Sequence, residues 1–364
     1  MGVKLKEIIL RRKIEVSDLI GKIIAIDGPN IIMGLFSFAR KDSEGNNSGL
    51  ILDRTQRPIS HLYGLLYRIN FFYSKKIFPI FVFDGVDSEL KKLKTKDRLH
   101  DFRFSQNWYQ HAIMRGDKHL ARQISLSREF MWQNIIKESK QLLGTLGVPY
   151  INSPASAESQ CAQLVKDDVA DYSNSQDFDS LLFGCPRLLQ NLSKSLKKKL
   201  KGRWIYHKMD PLETNLKENL NKLHINQFQL VDMALLIGTD YFSGIEGIGP
   251  KTALKLIQKH HTIENILIKE KNKYNFKQLN LEICRKVRKI FLFPEVLKEY
   301  GEILWNYPNE LQIYHLLCEE HNLNRERVKS NLAKFILNYE KCRLYFMSQH
   351  KKPRLQQKTL FEDF

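Results

Sequence analysis

The sequence predicts an α/β protein: a central, mostly parallel sheet with helices on both faces. Three observations lead there. Nearly continuous apolar runs at residues 22–26 (KIIAI) and 78–83 (FPIFVF) suit strands covered on both sides rather than half-buried ones. Helical patterns alternate with such runs along the first half of the chain. The runs end at or near acidic residues or turns, and open α/β sheets bind their ligands at the carboxyl ends of the strands.

Taken in chain order, the first run leads into Asp27, and a helical pattern follows over 60–73 (SHLYGLLYRINFFY). The second run leads into Asp84 and Gly85. Residues 89–128 are polar and helix-compatible, starting with Lys91, Lys92, Lys94, Lys96, Arg98 and Arg103; they read as an insertion projecting from the active edge of the sheet. A helix over 130–146, a strand over 149–152, a helix over 157–166 and a strand over 169–173 come next, the last leading toward Asp177. From about Leu212 to Tyr345 the chain reads as mostly helical. Two stretches, 194–203 and 341–358, each carry six basic residues and no acid; they read as solvated faces or tails, with phosphate contact as the sharper alternative.

Composition narrows the function. The 364 residues hold 58 Lys plus Arg against 40 Asp plus Glu, a formal charge of +18. That balance points to a polyanionic partner, most often nucleic acid. Five scattered cysteines without a CxxC spacing suggest neither a disulfide framework nor a zinc site, and fit a reducing compartment. The apolar runs fall far short of the roughly 18 to 20 residues that span a bilayer, so no membrane partner is expected and the chain reads as a soluble intracellular protein.

Two constellations carry chemistry. Asp27, Asp84, Glu158, Asp177, Asp179 and Asp240 all fall at expected strand ends or in the turns and helix starts that follow them. One such acid alone is ordinarily a turn former or cap; the set is the argument. Converging carboxylates repel, and bound divalent cations remove that repulsion. Oxygen ligands with open positions suit Mg²⁺, or Mn²⁺ in its place, and two such ions about 4 Å apart serve phosphodiester hydrolysis. The second constellation, Gly247-Ile248-Gly249-Pro250-Lys251 ahead of an apolar-periodic helix, has the GxGxK form of a helix-hairpin-helix. Its helix-start amides and Lys251 suit a DNA phosphate held without base reading. Asp240, just before it, would link this grip to the metals.

These residues resemble the flap endonuclease family of structure-specific 5′ nucleases over nearly the whole chain. The phrases that carry the likeness are AIDGPN around Asp27, ISHLYGLLYR at 59–68, VFDG around Asp84, SQDFDSLLFG at 175–184 and LIGTDYFSGIEGIGPKTA at 236–253, with wording closest to the archaeal branch. The resemblance implies a PIN-like 5′ nuclease fold with a helical arch and a C-terminal helix-hairpin-helix region. It divides the chain into a nuclease region at 1–99, arch and following helix at 100–145, a second nuclease region with the hairpin at 146–260, a helical region at 261–345 and a tail at 346–364. It implies 5′ flap endonuclease and 5′ to 3′ exonuclease activity in replication (Okazaki fragment processing) and repair, in the cytoplasm of an archaeal-like cell or the nucleus of a eukaryotic one.

By the same resemblance the six acids are metal ligands, Lys91 and Arg98 are catalytic cations at the arch base, and Gly2, Arg40, Arg68, Gly247, Gly249 and Lys251 meet DNA. The hairpin would hold one K⁺. The expected partners are branched DNA with a 5′ flap and a PCNA-type sliding clamp, the protein itself being a monomer. Gln357, Leu360, Phe361 and Phe364 match the clamp-binding peptide, with Phe361 standing in for the first aromatic because Asp363 occupies its place. Two departures stand out. Ser156 replaces the first acid of a family pair, which leaves a catalytically weakened, non-enzymatic flap-DNA and clamp-binding subunit as the alternative reading. Met33 stands where the family often carries a base-stacking Tyr.

Overall fold

A computed structural model describes residues 2–36, 51–85, 105–192, 195–200 and 203–348. Its centre is a seven-stranded sheet made of β1 (Arg12–Lys13), β2 (Ile23–Asp27), β3 (Phe78–Phe83), β4 (Tyr150–Asn152), β5 (Tyr172–Asn174), β6 (Arg187–Gln190) and, late in the chain, Leu212–Asn215. The order is β1, Leu212–Asn215, β6, β5, β2, β3, β4. From β6 to β4 every neighbouring pair is parallel, whereas Leu212–Asn215 runs antiparallel to both β6 and β1. The sheet is therefore mostly parallel with an antiparallel edge, and β2 and β3 lie side by side in its buried interior. All of β3 is buried, and Ile24, Ala25 and Ile26 of β2 are fully enclosed, which is why their sequences are apolar without alternation.

Helices cover this sheet. The helix α1 (Gly28–Phe36), not among the helical patterns read from the sequence, follows β2 directly, and α2 (Ser60–Ser74), where the periodicity predicts it, buries Leu62, Leu65, Leu66, Ile69, Phe72 and Tyr73, a stripe at helical spacing. Against α2 lies the long helix Arg325–Ser348, whose Phe335 and Tyr339 rings each meet Tyr73 at 5.4 Å. A further tie joins Trp305, whose ring N–H donates to the Pro79 carbonyl of β3 at 2.8 Å. The C-terminal helices thus complete the same core as the sheet. Among the described residues no helix is long and apolar enough to cross a membrane.

Two expectations need correction. The region after Leu212 does not open with helix: Leu212–Asn215 pairs with β6 and β1, too short and polar a strand for periodicity to reveal, and its last residue Asn215 caps the following helix by accepting from the Glu218 amide at 3.0 Å. The strand expected at 169–173 starts at Tyr172, because the amides of Val169 and Ala170 turn back to the Leu164 carbonyl and close the preceding helix. The basic stretch around 195–200 is a strand that forms an antiparallel hairpin with Arg203–Lys208, separate from the main sheet.

Part of the expected insertion is a helix pair: α3, helical over 105–114, and α4 (Lys118–Ser125), joined by a tight turn. The pair packs a small core, Tyr109, Ala112 and Ala121, against Phe130 of the next helix, α5 (Arg128–Thr145), apart from the main core. It is tied down by the Tyr109 hydroxyl on the Thr55 carbonyl and the Ser125 hydroxyl on the Gln56 carbonyl. Asp53 and Arg57, which flank those two carbonyls in the chain, belong to a buried ionic cluster. Asp53 accepts from the Arg57 side chain and faces His321, each at 3.1 Å, while Glu138 meets His61 at 3.0 Å and Arg57 at 3.6 Å.

Candidate active site

The sheet delivers the candidate acids at the carboxyl ends of its central strands. Asp27 is the last residue of β2 and Asp84 follows β3; Asp177 and Asp179 follow β5. Glu158 stands in the first turn of α6 (Ala157–Lys166), and Asp179 opens the short helix Asp179–Leu182. Asp240 sits exposed in the turn after Gly238.

Uncharged groups hold these carboxylates. The Ser175 hydroxyl lies between Asp27 Oδ2 at 3.0 Å and Glu158 Oε1 at 2.9 Å, and it has one proton for two acceptors. Asp27 also accepts from the Asn30 amide at 3.2 Å, and the Asn30 side chain donates to Asp177 at 3.0 Å. The Val3 amide donates to Asp179 at 2.7 Å. Gly2 lies so close to Asp177 that an added Cβ would stand 2.6 Å from its Cβ, so the N-terminal segment is part of the site wall. Asp84, itself exposed, accepts from the Ala157 amide at 2.8 Å and caps α6 from a different strand.

The electrostatics show that the acids act on one another. Burial pushes the Asp27 carboxyl up to about 7, and the charges of Asp84 and Asp177 add to the rise. Burial, with Asp27, Asp179 and Asp177 nearby, raises Glu158 well above the usual carboxylate range. Asp179 rises to about 6, again mainly through burial, with Asp240 and Asp177 pushing the same way against the Val3 bond. The six predicted acids therefore share one electrostatic field. Among the described residues no three His, Cys, Asp or Glu side chains are grouped closely enough to hold a metal ion. The acids offer oxygen donors alone, which fit a hard ion such as Mg²⁺.

Ser156 occupies the N-cap of α6 without a capping side-chain bond; its carbonyl instead accepts from the hydroxyls of Ser153 at 2.9 Å and Ser159 at 2.7 Å. Met33 is 56% exposed on α1. Gly247 adopts φ +80°, open to glycine and costly to other residues, and Gly249 is the N-cap of the helix Pro250–His260. Lys251 at its start is exposed and pairs loosely with Glu7 at 3.6 Å. Arg68 is half-buried on α2 and donates to the Leu192 carbonyl at 3.1 Å; burial pushes its guanidinium down to about 10. It is thus tied to the base of the separate hairpin, with no bond to the acids. Arg40, Lys91, Arg98, Gln357, Leu360, Phe361 and Phe364 lie outside the described residues.

Sequence reasoning left Ser175, Asn30 and Lys140 without roles. The first two stand inside the quoted phrases, next to acids, and proximity was their only signal. Lys140 lies mid-helix in Arg128–Thr145, with its ammonium 4.9 Å from the Phe83 ring centre; burial lowers its pKa, and the charge of nearby Asp84 opposes that shift only in part.

The chain and its fold are similar to those of known proteins. The XPG N-terminal domain profile matches residues 1–103, and the XPG I-region profile matches 147–240. Flap endonuclease 1 of Methanosarcina acetivorans is 36% identical over 329 residues, which cover 90% of this chain and 94% of that protein. The solved flap endonuclease-1 from Methanococcus jannaschii superposes with a TM-score of 0.69 at 26% identity, covering 93% of this chain and 99% of that one. The catalytic core of Rad2, solved with a DNA substrate, shares the fold at a TM-score of 0.60 and 21% identity, over 90% of this chain and 95% of that one.

Proposed function

The chain belongs to the flap endonuclease family and is a structure-specific nuclease that hydrolyses DNA phosphodiester bonds; from that premise we propose how its own residues perform the reaction. The observation that carries the reading is the Ser175 hydroxyl held between Asp27 and Glu158, at the centre of acids whose ionisation is mutually opposed. Buried carboxylates set against one another in this way are stable in ionised form only with cations beside them. Asp27, Asp84, Glu158, Asp177, Asp179 and Asp240 would hold Mg²⁺, two ions per site, with Mn²⁺ as a substitute. The chemistry such ions supply is a more acidic water and neutralised phosphate charge.

The protein's part is positioning. Ser175 and Asn30 fix the faces that Asp27, Glu158 and Asp177 present, the Val3 amide orients Asp179, and the start of α6 pins Asp84. Water attacks phosphorus in line, the bond to the leaving oxygen breaks, and that oxygen takes a proton. Lys91 and Arg98 would steer the scissile phosphate, Gly2, Arg40 and Arg68 would line the DNA path, and the Gly247–Lys251 hairpin, with one K⁺, would grip a duplex phosphate. The protein would act as a monomer, its terminal peptide at 357–364 engaging a PCNA-type clamp. The alternative of a non-enzymatic subunit is disfavoured, because all six acids are present beside Ser156.

A labelled double-flap DNA incubated with Mg²⁺ tests this directly. The native protein should cut near the junction, and Asp179→Ala should lose more than about 100-fold in rate, beyond the range typical of losing a supporting hydrogen bond. A native protein as silent as Asp179→Ala, yet binding the flap tightly, would overturn the enzymatic reading.

A further inference from the structure

The short helix Asp179–Leu182 carries one of the six acids at its first residue, and four residues do not hold a helix by themselves. Its N-cap, Phe178, makes no side-chain capping bond, and a helix end leaves carbonyls without helical donors. Side chains from two other elements take up those carbonyls. The Lys166 ammonium donates to the Phe183 carbonyl at 2.6 Å, and the Gln227 carboxamide donates to the carbonyls of Leu181 at 2.9 Å and Leu182 at 2.7 Å. Both side chains end beside Gly184, whose φ is +77°: a Cβ there would stand 3.1 Å from Lys166 Nζ and 3.9 Å from Gln227 Nε2. The reaction described above uses neither residue.

The two donors belong to helices that deliver other acids. Lys166 is the last residue of α6, which holds Glu158 in its first turn; Gln227 opens the helix Gln227–Ile237, whose C-cap Gly238 leads into the turn of Asp240. A cation also suits the carbonyl end of a helix, which carries partial negative charge. The short helix is thereby held between the two elements that bring Glu158 and Asp240, while the Val3 amide holds Asp179 at its other end at 2.7 Å. The charge of Asp179 is felt at Glu158, and that of Asp240 at Asp179. A shift of the short helix would change both spacings.

We propose that Lys166 and Gln227 are positioning residues of the metal site: together they set where Asp179 stands relative to Glu158 and Asp240, without touching substrate or cation. The inference rests on the nuclease reading and adds to it two residues, at the far end of the helix from its acid, on which cation affinity depends.

Titration of the metal-free protein with Mn²⁺, the free ion read by electron paramagnetic resonance, tests this apart from cleavage. Lys166→Met and Gln227→Met keep the aliphatic stems and remove the donors; each should weaken Mn²⁺ binding about 5-fold, less than the roughly 10- to 100-fold typical of groups bonded directly to a ligand. For Lys166 the sign is informative. Removing a positive charge near a cation site tightens binding by charge alone, so a loss of affinity reports position. Lys166→Arg, which keeps a charged donor, should retain the affinity within about 2-fold. Because both residues act through one helix, the double variant should lose less than the product of the single losses. Gln258→Met removes a bond of the same kind, to the Leu223 carbonyl at 2.8 Å, from the end of the helix Leu216–Leu223, which carries none of the six acids, and should leave the affinity unchanged. Native affinity in both methionine variants, an equal loss in Gln258→Met, or a double variant that matches the product overturns the proposal. A native protein that takes up no Mn²⁺ overturns the nuclease reading itself, and the inference with it. Should a methionine variant lose its fold by circular dichroism, the shorter Lys166→Gln or Gln227→Asn takes its place with the same expected loss, and native affinity there overturns the assignment.

Discussion

Two of the groups of buried charge among the described residues are built on opposite principles. Around Asp53, two carboxylates (Asp53 and Glu138) face the Arg57 guanidinium and the imidazoles of His61 and His321. At the strand ends, among the described residues, six carboxylates lie in one electrostatic field, supported by hydroxyls and amides, with the Lys140 ammonium near Asp84. The contrast appears in the direction of the shifts. Asp53 is held below the ordinary carboxylate range despite burial, through its bonds from His321, the Arg57 backbone and Thr55, whereas Asp27, Glu158 and Asp179 are driven up. A balanced cluster stabilises the fold; an unbalanced one opposes it and is kept for what it binds.

The largest effects should come from removing one member of each. Arg57→Ala leaves Asp53 and Glu138 buried without their guanidinium and should cost about 3–5 kcal/mol in unfolding free energy. The folded fraction should still cut flap DNA. Asp27→Asn should do the reverse: cleavage falls by more than about 100-fold, while the metal-free protein at pH 8 becomes more stable, by an amount on the order of a few kcal/mol. Urea titration in EDTA, together with single-turnover cleavage, reads both. If Asp27→Asn destabilises the metal-free protein, the two clusters are not opposites.

The sequence made one of these clusters legible and concealed the other. Asp27 and Asp84 end continuous apolar runs, and the helix at 157–166 was bounded correctly, because periodicity and strand-end acids are local signals. The members of the balanced cluster come from positions 53, 57, 61, 138 and 321, and each alone reads as an ordinary surface charge. Only tertiary packing brings them together. The strand Leu212–Asn215 was hidden for a similar reason, since its stability comes from pairing with two distant strands rather than from its own residues. Ser175 escaped notice because a hydroxyl has no charge pattern to detect.

A smaller effect, and a sharper one, is the pH dependence of stability in EDTA. His61 is buried with its pKa lowered below 6.5, mainly by desolvation, so the unfolded chain takes up its proton first. Stability from this group is present above pH 6.5 and lost as pH falls below it. Asp27 works in the other direction. Its folded pKa of about 7 exceeds the ordinary aspartate value of 3.8, so the folded state binds more protons in that window and stability falls as pH rises from about 4 to 7. The two slopes oppose each other over an overlapping window, so His61→Gln should steepen the fall in stability with rising pH and Asp27→Asn should weaken or reverse it. Saturating Mg²⁺ should remove the Asp27 contribution but not that of His61, and parallel curves with and without the metal would contradict the assignment of cations to the acids.

The smallest effect concerns Ser156, which already sits at the α6 N-cap where a carboxylate would meet the helix dipole. Ser156→Glu adds a favourable dipole interaction of about 0.3–1 kcal/mol and, at the same time, a seventh negative charge beside Asp84 and Glu158. In EDTA these nearly offset, so the unfolding midpoint should move little. With Mg²⁺ the added charge has a counterion to meet, and the Mg²⁺ concentration for half-maximal cleavage should fall several-fold with little change in the saturated rate. A change confined to the saturated rate would mean that this position acts on the attacking water rather than on the cation.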